Sequence, residues 1–439
     1  MNFPWPEIRI AEACNLIVDC VNKTAPQVPG PTPYKMIRTP NVKNGRINLS
    51  DCRYVDEEIF EKWTRRAKLE KGDVILTREA PIGEVGYVDF EDTVFLGQRL
   101  MQYRPNLEIL DDRFLLYAFL SPYLQHQFGT HEGSGSVVSH IRVGDCSEFR
   151  IPLPSLAEQK GIANVLGALD DKIQLNRQTA RTLEELAQRL FKSWFVDFDP
   201  VRANMAGRQP AHTPAEIADL FPDRLVDSPL GPIPEGWVIQ SFHSAFDIIS
   251  GGTPKTKIEE YWNGDIPWYS VADFPPNELA VVIETEKHIT RDGLDNSAAK
   301  LVPEFTTILS ARGTVGKVAL SGCEMTFNQS CYGVRGIHGD HFRAYFQTKH
   351  LVEQLQSRAH GSVFSTITRE TLRSIDVAQP PLDLSTAFER HLEPFILRGC
   401  ALALENQTLA QLRDRLLPKL ISGQIRVPDA REMAEESVS

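Results

Sequence analysis

Apolar positions change their spacing along this chain in a fixed order. Short β-type runs such as Asp73-Val74-Ile75-Leu76 and Glu84-Val85-Gly86-Tyr87-Val88 come first, broken by Gly and Pro. From Asp111 to Phe128 the spacing is helical, which predicts one helix there. A strand-like Phe149-Arg150-Ile151-Pro152-Leu153-Pro154 then leads into a long helical segment. In that segment Leu166, Leu169, Ile173, Asn176, Ala180, Leu183, Ala187, Leu190 and Trp194 step three, four, three, four without a break. This is an a/d seam about four heptads long. Near the C-terminus Phe388, Phe395, Leu402, Leu409 and Leu416 recur every seven residues, flanked by Leu392, Asn406 and Leu412. Each seam holds one central asparagine, the residue that fixes register at a cost in stability. The expectation is that the two helices, each ~50 Å long at ~1.5 Å per residue, pair antiparallel as a rigid spacer. The alternative is that each packs only on its own domain.

The same plan occurs twice. Trp5-Pro6-Glu7-Ile8-Arg9 has a counterpart in Trp237-Val238-Ile239-Gln240-Ser241, roughly 230 residues on. Tyr34-Lys35-Met36-Ile37-Arg38 falls opposite Ile266-Pro267-Trp268-Tyr269-Ser270. Gly72 to Arg78, leading into Ile82-Gly83-Glu84-Val85, falls opposite Phe305 to Ala311, leading into Val315-Gly316-Lys317-Val318. Gln98 meets Gln329, and the run from Gly135 to Ile141 meets the run from Gly361 to Ile367. Matches in one order at a nearly constant offset point to duplication. The fold class that follows is α+β: two similar α/β domains separated by a pair of long antiparallel, coiled-coil-like helices, as a pseudo-twofold internal repeat. The boundaries are 1–150 for the first domain, 151–196 for the central helix and 197–235 for a Pro-rich linker without periodicity. The second domain is 236–378, the distal helix 379–427, and 428–439 reads as a disordered tail.

Composition narrows the class. A chain of 439 residues exceeds one ordinary core, and 42% hydrophobic with 24% charged residues is globular. No apolar run approaches the ~20 residues of a membrane helix, and the N-terminus lacks the basic flank and apolar core of a signal peptide. The seven cysteines are scattered without a CxxC pair, as expected of reduced thiols in a cytoplasmic protein with no membrane partner. A net charge of −11 argues against a uniformly basic nucleic-acid binder but leaves local basic surface open. Such clusters exist at Lys35, Arg38, Lys43 and Arg46, at Arg65, Arg66, Lys68 and Lys71, and at Arg369 and Arg373.

Catalytic signatures are missing. The chain has no strand-linked GxGxxG, no GxxxxGK[ST] and no HExxH. Gly133-Ser134-Gly135-Ser136 lacks the lysine of a phosphate loop, and Asp111-Asp112 and Asp170-Asp171 fit helix-terminus electrostatics better than a metal site.

The residues do resemble a known family. Leu153-Pro154-Ser155-Leu156-Ala157-Glu158-Gln159-Lys160-Gly161-Ile162-Ala163, with Leu169-Asp170-Asp171-Lys172-Ile173 and Leu190-Phe191-Lys192-Ser193-Trp194-Phe195, is similar to the central helical region of type I restriction–modification specificity subunits. Gly251-Gly252-Thr253-Pro254 with Tyr261-Trp262-Asn263-Gly264-Asp265-Ile266-Pro267-Trp268 resembles the opening of one of their target-recognition domains, and Ala311-Arg312-Gly313-Thr314-Val315-Gly316-Lys317-Val318-Ala319 their glycine turn. The first domain departs most, with Asp19-Cys20 opposite Gly251-Gly252 and Glu79-Ala80-Pro81 opposite Arg312-Gly313-Thr314. The resemblance implies a non-catalytic subunit that reads a bipartite, asymmetric target in double-stranded DNA. It also implies docking of two methyltransferase subunits and of restriction (motor) subunits. No cofactor is expected on this chain, with S-adenosylmethionine, ATP and magnesium expected on the partners.

Arginine, lysine, glutamine and serine on loops are the residue types that contact phosphates and base edges. The candidate DNA contacts are Lys35, Arg38, Arg78, Gln98, Ser136, Ser139 and Arg142 in the first domain. In the second they are Lys255, Lys257, Arg312, Lys317, Gln329, Ser362 and Ser365. Gly83 and Gly316 are expected to serve the turn itself, through positive φ or close approach. The candidate helix-pair and partner surface comprises Leu166, Leu169, Ile173, Asn176, Leu183, Leu190 and Trp194 with Phe395, Leu402, Asn406, Leu409 and Leu416. No residue is assigned to metal or catalysis. The competing reading is a coiled-coil scaffold carrying two protein-binding domains.

Overall fold

Period-two burial builds the centre of each domain. In the computed structural model, which describes residues 4–21, 23–131, 140–211, 213–275, 280–358 and 366–438, the chain divides into two units. One is Met1–Ile173 with Thr408–Ser439, the other Gln174–Gln407. In the first unit Val74 and Leu76 face one apolar cluster while Ile75 faces another; in the second, Leu309 and Ile308 divide the same way. Successive side chains of a strand point to opposite faces, so a strand covered on both sides reads as a continuous apolar run.

The sheet of the first unit runs Cys14–Asp19, Leu100–Pro105, Val74–Arg78, Ile82–Tyr87 in spatial order, all antiparallel. That of the second runs Phe246–Ser250, Cys331–Gly336, Thr307–Ser310, Val318–Ser321, with Val281–Val282 added in parallel at the far edge. A smaller sheet repeats too. Tyr34–Ile37 lies between Arg53–Val55 and Val94–Leu96, and Trp262–Tyr269 between His288–Ile289 and Thr326–Phe327. The last pairing is parallel in both copies.

One expected element is divided. The segment from Asp111 to Phe128 forms two helices, Asp112–Leu120 and Pro122–Gly129. Ser121 caps the second through its hydroxyl and Pro122 opens it, because proline suits a first turn and breaks a helix interior. The second unit has one uninterrupted helix there, His341–Arg358.

The long helices are Leu156–Phe195 and Leu382–Ser422, of 40 and 41 residues. Within the first unit Leu166, Leu169 and Ile173 share a core with Leu409, Leu412 and Leu416. Within the second, Ala180, Ala187, Phe191 and Trp194 share one with Phe388, Leu392, Ile396 and Leu402. Asn176 Nδ2 donates to Asn406 Oδ1 at 3.1 Å, so the two central asparagines satisfy each other. The chain directions oppose: Glu158 reaches Arg426 and Asp170 reaches Arg413 in one unit, and Phe195 meets Phe388 edge to face in the other.

The seam differs from expectation in its second half. Leu183, Leu190 and Phe395 are only partly buried, whereas Glu184, Phe191 and Ile396 take the inward positions. A straight helix with 3.6 residues per turn drifts ~20° per heptad from a 3.5 repeat, so the buried stripe takes in Glu184 and Phe191 while Ala187 and Trp194 stay inside it.

Two other readings are corrected. Residues 197–235 are not an open linker. They form helices Asp199–Met205 and Ala215–Ala218 and a hairpin of Leu225–Val226 with Ile233–Pro234, and Val201, Phe221 and Ile233 are buried in the second unit's core. The tail is not disordered: Val427–Val438 is helical, with Ala430 fully buried and Met433 and Ala434 packed on the first unit's core.

Candidate nucleic-acid interface

In each unit one end of the central sheet gathers most of the candidate residues. The second unit shows the construction plainly. Strand Phe246–Ser250 ends there and runs into Gly251-Gly252-Thr253; Cys331–Gly336 begins there after Gln329; Thr307–Ser310 ends at Ala311 and Arg312; Val318–Ser321 begins after Lys317. The turn between the last two strands is held by Ser310. Its hydroxyl donates to the Thr314 carbonyl at 2.6 Å and accepts from the Lys317 amide at 2.8 Å. In the first unit Thr77 makes the same bracket, donating to the Pro81 carbonyl at 2.7 Å and accepting from the Glu84 amide at 2.9 Å. Gly83 and Gly316 take φ of +86° and +87°, the left-handed region that a side chain would strain. A Cβ at either would also meet the domain helix behind it, at Gln125 and Val352 respectively, 3.0 Å away.

The remaining backbone bonds at this end repeat as well. Ile141 N donates to the Arg78 carbonyl and Ile367 N to that of Ala311; Arg78 N donates to Arg99 and Ala311 N to Ser330. Gly97 N donates to the Ile37 carbonyl and Asn328 N to that of Tyr269, which brings Arg38 and Ser270 to equivalent places. The duplication therefore extends to individual hydrogen bonds.

The side chains on this frame differ. In the first unit Arg38, Arg78, Gln98 and Arg142 lie around the sheet end. Arg38 Nη2 donates to Asp51 and Arg78 Nη1 to the Ile141 carbonyl. Among the described residues Arg38 Nε and Arg78 Nε are buried without a hydrogen-bond partner. Lys35 sits farther back on its strand, and its ammonium is paired with Asp92. In the second unit Arg312, Lys317 and Gln329 are exposed at the sheet end, and Lys255 and Lys257 are exposed on the loop after Thr253. Lys317 Nζ lies over the Phe274 ring, 4.8 Å from its centroid. Ser136, Ser139, Ser362 and Ser365 fall outside the described residues.

Sequence reasoning missed two groups. Thr24 and Thr253 donate to Gln98 and Gln329 and so belong to this end. The only signal was the threonine after the glycine pair, without a visible partner. The second group fixes each domain on the long helices. Asp170 accepts from the Tyr117 hydroxyl at 2.7 Å and from Arg413 at 2.8 Å, and Asp171 takes a bidentate bond from Arg113. The acidic pair is thus an anchor rather than a helix-terminus feature. In the second unit Glu184 accepts from the Tyr345 hydroxyl at 2.7 Å and from Lys349, and Glu389 accepts the amides of Phe342 and Arg343 at 2.9 and 2.8 Å. Burial pushes the Glu389 carboxyl up to about 7, opposed by those two amides.

Other chemistry finds little footing. No group of three or more His, Cys, Asp or Glu side chains among the described residues could hold a metal ion. The seven cysteines are all free, and burial raises Cys14 and Cys331 to about 12, far from a reactive thiolate. No helix among the described residues is long and apolar enough to cross a membrane.

Comparison with known proteins agrees with this picture. The family model described as "type I restriction modification DNA specificity domain" matches twice, over residues 5–185 and 234–412. The HindI type I restriction enzyme specificity subunit of Haemophilus influenzae is 25% identical over 404 residues, covering 81% of this chain and 87% of its own. The putative MjaX type I restriction enzyme specificity subunit of Methanocaldococcus jannaschii is 23% identical over 405 residues, covering 90% and 88%. Among solved structures, the type I restriction–modification S subunit of M. genitalium superposes with a TM-score of 0.54 at 16% identity, over 95% of this chain and 96% of that one, a likeness of fold. With two family-model matches that together take in most of its length, the chain belongs to the type I restriction–modification DNA specificity subunits.

Proposed function

We propose that this chain reads a two-part, asymmetric site in double-stranded DNA, one part with each domain's sheet end, and performs no catalysis itself. The observation that carries the reading is the sheet end built twice on one set of backbone hydrogen bonds and dressed with different side chains. One frame with two sets of side chains is what reading two different half-sites requires, because loops on a rigid scaffold can vary without loss of fold. Arg312, Lys317, Lys255, Lys257, Gln329, Ser362 and Ser365 serve one half, and Arg38, Arg78, Gln98, Arg142, Lys35, Ser136 and Ser139 the other. The acidic net charge is compatible, since the DNA meets a local surface.

In this reading methyltransferase and restriction subunits dock on the long helices and bring S-adenosylmethionine, ATP and magnesium, all within the cytoplasm. Leu175, Leu186, Leu397 and Leu404 support docking there. They are about half exposed on the outward faces of the helix pair, where a lone protein gains nothing from leucine. The test is titration of the full chain, assembled with its modification subunits, against the site it modifies and against scrambled duplexes at several salt concentrations. The proposal expects one site bound at least ~1,000-fold more tightly than the rest. Equal affinity for every duplex would refute it.

A further inference from the structure

One corner of the first domain's sheet end holds an arginine under backbone strain. Arg99 stands one residue before strand Leu100–Pro105, and its carbonyl accepts from the Arg78 amide at 2.8 Å. Its φ is +74°, in the left-handed region where a side chain is strained and glycine is not. Ser330, at the same place in the second domain, avoids that region. An arginine held there forgoes the ease glycine would supply, so its side chain has a task. That side chain is 52% exposed, and its Nε lies 2.5 Å from Oε1 of Glu79, itself only 22% exposed. Neither Nη has a hydrogen-bond partner among the described residues. We infer that Arg99 is a base reader of the first domain, its two Nη groups directed at the O6 and N7 acceptors of one guanine, with Glu79 as its positioning residue.

The local construction supports this. A guanidinium is a planar fork, and a carboxylate on Nε orients it while leaving the two Nη groups side by side as the free edge. Two parallel donors match the two acceptors of guanine, the commonest specific contact that arginine makes. The other arginines around this end are placed differently. Arg38 spends an Nη on Asp51 and Arg78 one on the Ile141 carbonyl, while the Arg142 guanidinium has no partner among the described residues to orient it. A base reader also needs neighbours that hold the phosphates. Lys23, Lys62 and Arg65 are exposed and make no ion pair among the described residues. They belong to this end through Trp63, whose Nε1 donates to the Lys23 carbonyl at 3.2 Å, and through Thr24, whose hydroxyl donates to Gln98 beside Arg99 at 3.0 Å. In the second domain the corner is inverted, with Arg312 opposite Glu79 and Ser330 opposite Arg99. The Arg99–Glu79 pair is thus one of the features that distinguish the halves, as reading different bases requires.

The inference rests on the DNA-specificity reading above, and its test separates the two. The full chain with its modification subunits is titrated with its target duplex, with duplexes changed at single base pairs, and with duplexes carrying a guanine analogue that has carbon in place of N7. Arg99→Gly relaxes the backbone, so melting should hold or rise, yet binding to the target should weaken about five- to hundredfold. The loss should lie at one G·C pair of the first half-site, where the variant no longer tells the base pairs apart, and preference elsewhere should match the wild type. The analogue at that guanine should weaken the wild type and add nothing in Arg99→Gly. Arg99→Lys keeps the charge and loses the fork, so it should not restore the choice. Glu79→Ala should blur the choice at the same pair without weakening binding to the other duplexes. A uniform loss over all duplexes would put Arg99 on phosphate, and a loss at an A·T pair or an unchanged preference would deny it a guanine. Each of these overturns the inference and leaves the specificity reading intact. A wild type that binds every duplex alike overturns the specificity reading and the inference with it.

Discussion

The two recognition domains hold the same sheet order and the same turn brackets, and each sets a tyrosine hydroxyl and a cation on a carboxylate of Leu156–Phe195, yet the rest of the fastening to the long helices differs. In the first unit the fastening is ionic and shared between both helices, through Tyr117 and Arg413 on Asp170 and Arg113 on Asp171. In the second it is a tyrosine–lysine pair on Glu184, a glutamate at a helix N-terminus and a dense aromatic cluster around Trp194, Phe195 and Phe388. Duplication has preserved backbone geometry more strictly than the side chains that lock it. Residues that recur in both copies therefore mark shared tasks, and residues that differ mark what distinguishes the halves.

The largest way to break the comparison is in the aromatic cluster. Trp194 is 1% exposed and touches Phe221, Phe388 and His391. Trp194→Ala should cost about 3–5 kcal/mol, and denaturation followed by hydrogen exchange should show that loss in residues 174–407. Equal loosening of the first unit would mean that the two do not differ in what holds them. Next comes the ionic anchor. Asp170→Ala leaves the Tyr117 hydroxyl without its acceptor and the Arg413 guanidinium with Asp414 alone, and should cost about 2–3 kcal/mol, read in the same experiment as lost protection in the first unit.

A third prediction concerns reading. Arg312 is exposed and its counterpart across the repeat is Glu79, so it belongs to the side chains that differ. Arg312→Ala should change preference only within the half-site of the second domain, by about 1–3 kcal/mol at the base pair contacted. A uniform loss over all duplexes would place it on phosphate instead.

The smallest effect is on pH dependence. Burial holds the Glu389 carboxyl above its ordinary value, at about 7, so the folded second unit binds a proton that the unfolded chain releases near pH 4.5. Its contribution to stability is then fully present below about pH 4.5 and is lost as pH rises through about 7. Subtracting the melting profile of Glu389→Gln from that of the wild type should leave a decline across that window. A flat difference would show that the Phe342 and Arg343 amides stabilise the carboxylate fully.

Sequence alone made the duplication, the paired asparagines and the turn glycines legible, because each depends on local spacing or on a conformation few residues adopt. The seam was legible through Ala180 and again at Ala187 and Trp194, while Leu183 and Leu190 gave way to Glu184 and Phe191 as the buried stripe drifted. The Pro-rich segment concealed its folding because its anchors, Val201, Phe221 and Ile233, follow no period. The terminal helix did carry a signal, Ala430, Met433 and Ala434 at helical spacing, outweighed by its charged neighbours. The threonine–glutamine pairs and the tyrosine anchors join residues far apart in sequence, which no periodicity reveals.

The central claim is that this chain supplies the sequence choice and divides it between its domains. The most direct test is to map methylated adenines in DNA exposed to the modification subunits with and without this chain. The account predicts one asymmetric motif of two parts separated by a fixed gap, present only when the chain is. Methylation at the same sites without the chain, or a single uninterrupted motif, would contradict it.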